Sequence, residues 1–83
     1  MKDKVVFRKF KDGQVIALFP ELPWDEMGNI VSYMHIGQHG AASRAIVLDT
    51  KLAKPKEYAG LLEELRSIGY KLDIRKKLTM KSA

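Results

Sequence analysis

Apolar, β-branched and aromatic residues gather at the start of the chain in two runs, 5–10 and 14–19, separated by Lys11-Asp12-Gly13. The Asp-Gly pair supplies the positive φ that a tight hairpin turn or a bulge needs, so the two runs are predicted to form a β-hairpin. Pro20 and Pro23 are expected to stop the second strand, leaving 21–29 as a loop that carries Trp24, Asp25 and Glu26 and closes on Gly28-Asn29. A third strand is predicted over 30–36 and a loop over 37–43. The four apolar residues Ala45-Ile46-Val47-Leu48 suit either a short strand or a helical turn.

Lys54-Pro55 opens the clear helix. Pro55 suits the first helical position, Glu57 sits at the positive end of the helix dipole, and Tyr58, Leu61, Leu62, Leu65 and Ile68 form one face. Gly69 ends the helix, and residues 70–75 then alternate as a final strand with Leu72 and Ile74 inward. The predicted order is β-β-β-(β)-α-β, an α+β domain with an antiparallel or mixed sheet of three to five strands and one helix packed on one face. One domain spans 1–83, with 76–83 as a basic, frayed tail.

Val15-Ile16-Ala17-Leu18-Phe19 is apolar at five consecutive positions, so both faces of that strand are oily. A single helix covers one of them. The other calls for the Trp24 loop, residues 46–48, or a second copy of the chain, and a homodimer is expected on equal terms with self-coverage.

Charge adds a direction. Residues 1–40 carry five basic and five acidic side chains, whereas 41–83 carry ten basic and five acidic, so the net +5 lies in the second half. Arg75, Lys76, Lys77 and Lys81 close the chain with no acid after Asp73. With Phe7, Phe10, Phe19 and Tyr33 on predicted strands, this tail suggests an alternative nucleic-acid role in which bases stack on a sheet. The glycine and aromatic signature of RNA-binding sheets is missing, and a solvated tail over a core of aromatics is the simpler account.

Cysteine is absent, which excludes disulfides and thiol chemistry. The apolar stretch near Met1 is too short for a signal peptide and no segment could span a bilayer, so a cytoplasmic protein with no membrane partner is expected.

Both histidines fall in Tyr33-Met34-His35-Ile36-Gly37-Gln38-His39-Gly40. Two imidazoles do not make a zinc site, and Asp25 or Asp49 would have to complete it without a recognisable spacing. Gly37-Gln38-His39-Gly40 lacks the lysine and the helix start of a phosphate-binding loop. A triad of Ser32 or Ser43 with a histidine and Asp49 lacks a nucleophile elbow, and Glu63-Glu64 sit on the solvated side of the helix. No catalytic residue, metal or cofactor is therefore assigned.

The combination of Ile16-Ala17-Leu18-Phe19-Pro20, the histidine and glycine block, and the stretch from Pro55 to Tyr70 resembles short uncharacterised proteins of gut bacteria and of their phages and conjugative elements. The resemblance spans most of the chain between Val5 and Ile74. It implies an accessory protein of a mobile element, with no established site to transfer. The reading that results is a non-catalytic protein-interaction module, homodimeric, with Trp24, Tyr33, His35, Gln38 and His39 as its surface.

Overall fold

The computed structural model describes residues 2–34 and 38–76; His35, Gly37 and the tail residues Lys77 and Lys81 lie outside the described residues. Strands β1 (Asp3–Phe10), β2 (Val15–Pro23), β3 (Ile30–Met34) and β4 (Gln38–Ala42) come first. A 3-10 helix (Arg44–Leu48), β5 (Thr50–Leu52), helix α1 (Pro55–Ser67) and β6 (Leu72–Arg75) follow. The sheet has six strands, more than the three to five expected, in the order β4-β3-β2-β1-β5. Strand β6 pairs parallel to β1 along residues 3–6, while β5 pairs antiparallel along 8–10, so the two share one edge of β1. The α+β class stands, and the sheet is mixed.

The β1–β2 hairpin closes as its turn residues dictate. Gly13 has φ +94°, its amide donates to the Phe10 carbonyl, and Asp12 Oδ1 accepts from the Gln14 amide at 3.0 Å. Helix α1 begins on an extended Lys54 with Pro55 in the first turn, and Glu57 Oε1 accepts from the Lys54 amide at 2.8 Å. It ends where Gly69 adopts φ +107° and the Tyr70 amide returns to the Leu65 carbonyl.

Four expectations need correction. Strand β2 continues through Pro20 to Pro23 because a shift in register after Phe19 accommodates the prolines as a bulge. Residues 38–42 form β4, paired with β3 from Met34↔Gln38 to Ile30↔Ala42, and only 24–29 remain as the β2–β3 turn. Of the two forms open to 45–48 the helical one is taken, with Ser43 accepting from the Ala45 amide, and a short strand, β5, follows it. Ile68 is a half-exposed helix cap outside the core, and Ile74, expected to point inward with Leu72, is exposed near the end of β6.

Helix α1 packs on the face that carries Val5, Phe7, Ala17, Phe19 and Tyr33, to which it adds Leu61 and Leu65. The opposite face carries Ile16, Leu18, Ile30 and Ala42, and Ile46 of the 3-10 helix packs against them with Phe10 and Met34. Arg8 holds that cover in place, donating to the carbonyls of Val47 (3.0 Å) and Thr50 (2.6 Å) and to Thr50 Oγ1 (3.0 Å). Arg44 reaches from the 3-10 helix to the Pro20 carbonyl at 2.9 Å. Both oily faces are thus closed within one chain, and covering the second face requires no second copy.

Candidate functional site

Strand β4 lies at one edge of the sheet, and among the described residues its outer side has no strand against it. Its sequence, Gln-His-Gly-Ala-Ala, has no charged residue and no proline, the usual devices that blunt an edge. Gln38, His39 and Ala41 are exposed. At the Ala42 end lies the 24–29 turn, where Trp24 is 50% and Met27 89% exposed. That turn is stapled by Asp25, whose carboxylate accepts from the amides of Met27 (2.9 Å) and Asn29 (3.2 Å) and from the Asn29 side chain (2.9 Å). The Asn29 side chain, with the two amides, holds the Asp25 carboxyl below its ordinary range.

His39 and Tyr33 sit directly opposite each other on the helix side of the sheet, their rings edge to face with centroids 4.7 Å apart. His39 Nε2 lies 3.0 Å from the Tyr70 hydroxyl, and the Tyr70 ring stacks on Phe19 at 5.1 Å. Tyr33 is 1% exposed and its hydroxyl donates to the Glu64 carboxylate on α1. The ring of Tyr33 is therefore interior and offers a partner no surface of its own. Its contribution is to support His39, which stays at the rim.

Comparison with family models, with curated proteins and with solved structures finds no match to this chain. The geometry has to carry the reading.

As chemistry, the cluster of Glu64, Tyr33, His39 and Tyr70 is a polar seam that joins α1 and the segment after it to β3 and β4. Ser32 points the other way, its hydroxyl donating to the Gly40 carbonyl at 2.9 Å, so it does not meet His39. Ser43 is engaged in capping the 3-10 helix. Among the described residues no group of three His, Asp or Glu side chains gathers as metal ligands would. Among those residues, too, no helix is long and apolar enough to cross a membrane.

The base-stacking platform of the nucleic-acid alternative does not form. Phe7, Phe19 and Tyr33 are buried beneath α1, and Phe10 is half-buried on the face closed by the 3-10 helix. Of the tail cations, Arg75 pairs with Asp73 at 2.7 Å and Lys76 borders a groove at the far side of the sheet, while Lys77 and Lys81 lie outside the described residues. What sequence reasoning missed is β4 itself. Residues 38–42, two polar side chains followed by glycine and two alanines, show neither alternation nor β-branched content, so no local pattern marks them as a strand.

Proposed function

We propose that this chain is a small non-catalytic protein-interaction module that works through the outer edge of β4, pairing with a second copy of itself. The observation that carries the reading is an uncharged, proline-free edge strand flanked by exposed Trp24 and Met27. An unpaired edge of this kind is a template for strand addition, since its outward backbone groups supply hydrogen bonds regardless of side chain. Antiparallel pairing centred on Gly40 sets glycine against glycine, His39 against Ala41 and Gln38 against Ala42. Two-fold symmetry then brings the Trp24 turn of each copy toward the Gln38 end of the other. An accessory role in a bacterial mobile element, which the resemblance implies, is proposed with this assembly.

Gly40→Lys tests it. Gly40 is not in the left-handed region, and a Cβ there would meet only Ser32 Oγ at 3.8 Å, so the folded chain accommodates the substitution. Two lysines facing each other across a two-fold axis would repel at the centre of the paired edge. Light scattering after size exclusion is expected to give twice 9.4 kDa for the parent chain and the single mass for the variant, with helix and sheet content unchanged. A parent chain of single mass even at millimolar concentration would refute the proposal.

A further inference from the structure

The far edge of the sheet is built differently. Strands β5 and β6 both lie along the outer edge of β1 and run toward each other, so that their last residues, Leu52 opposite Arg8 and Arg75 opposite Val6, meet around Phe7. The chain leaves both ends at this point, turning after Ala53, whose amide donates to the Phe7 carbonyl at 2.9 Å, into α1. A groove of about 600 Å³ remains between the two strands and the start of the helix, within the range of roughly 300–1,000 Å³ typical of ligand clefts. Its floor is the Phe7 and Tyr58 pair, stacked with centroids 4.3 Å apart. Leu52 (41% exposed) and Ile74 (38%) form the apolar walls.

The rim is cationic. Lys54, Arg75 and Lys76 line the groove and, among the described residues, no carboxylate does. Among the described residues neither Lys54 nor Lys76 is held in a salt bridge. The Arg75 pair with Asp73 is exposed, and pairs of that kind contribute little and yield readily to a competing anion. Glu57, the acid in the first turn of α1, is bound by Lys9 and feels the Lys54 charge as a smaller effect. Apolar walls beneath a rim of three cations, of which Arg75 alone is in a salt bridge among the described residues, call for a ligand that combines an apolar group with negative charge.

The geometry points to a binding site for an acidic peptide segment whose leucine-like side chain fills the groove while its carboxylates meet Lys54, Arg75 and Lys76. The walls decide between this and an oligonucleotide. They are largely aliphatic, the rings that could stack bases are interior, and one side of Tyr58 is taken by Phe7. The site lies at the opposite edge from β4 and does not depend on the strand-pairing proposal.

Fluorescence polarisation with a labelled short peptide of alternating glutamate and leucine tests the assignment on the full chain. The peptide is expected to bind, and to bind more weakly as salt rises. Replacing its leucines by serine should weaken it about tenfold, and so should Lys54→Glu combined with Lys76→Glu. Ile74→Ser and Leu52→Ser, each at an exposed position and each checked for retained structure by circular dichroism, should do the same without altering charge. Gly40→Lys should leave the affinity unchanged. The inference is overturned if the glutamate–serine peptide or a labelled oligothymidylate binds as tightly as the glutamate–leucine peptide, if charge reversal has no effect, or if affinity is lost with Gly40→Lys.

Discussion

Glu57 shows how much one side chain can organise in a small domain. One carboxylate oxygen closes the first turn of α1 by accepting from the Lys54 amide, and the other binds Lys9 of β1, so the residue fastens helix to sheet. The hydrogen bond from Lys9, followed by that from the Lys54 amide, holds its pKa below the ordinary 4.5. A carboxyl depressed in the folded state favours folding above its unfolded pKa, and that benefit disappears as pH falls through the folded value. Urea midpoints of the parent chain should therefore decline below about pH 4.5, and Glu57→Gln should make the decline shallower while lowering the midpoint at neutral pH. Arg8 is the corresponding fastener on the other face. Arg8→Ala removes three hydrogen bonds to the 3-10 helix and β5, and urea denaturation should report a loss of about 2 kcal/mol, the scale of hydrogen bonds from a charged donor.

At the scale of elements, legibility followed local chemistry. The first hairpin, α1 and β6 were readable because Asp12-Gly13, Lys54-Pro55 and Gly69 mark their ends and the apolar period changes between them. Strands β4 and β5 were not, since neither Gln38–Ala42 nor Thr50–Leu52 has the β-branched or aromatic content of a strand that forms on its own preference. Pairing with β3 and β1 imposes their shape. The apolar run 45–48 became helical because Ser43 caps it and Arg8 collects its Val47 carbonyl, contacts no local pattern reveals. The candidate surface was legible in part: Trp24, Gln38 and His39 are exposed, but the contact between His39 and Tyr70 joins residues 31 positions apart. Gly69→Ala measures one of the readable signals. With φ at +107° the substitution is strained even though the space is open, and it should cost about 1 kcal/mol in thermal or urea unfolding.

Over the whole molecule, two different edges flank a sheet whose faces are both closed. One edge carries no charged residue; the other is split, grooved and basic. Their separation predicts independence: combining Gly40→Lys with Lys54→Glu and Lys76→Glu should lower the dimer mass and weaken peptide binding by the same amounts as the separate variants, because effects at distant sites without shared partners add. The arrangement at β1 also imposes an order of assembly. During synthesis the β1–β4 meander emerges first, yet β1 waits for a ribbon nearly seventy positions downstream, Asp3 beside Leu72, before its flank is sealed. Until then the nascent chain presents the bare margin of its opening strand, and a chaperone or a ribosome-bound partner that grips that margin would delay maturation of the groove while leaving the meander intact.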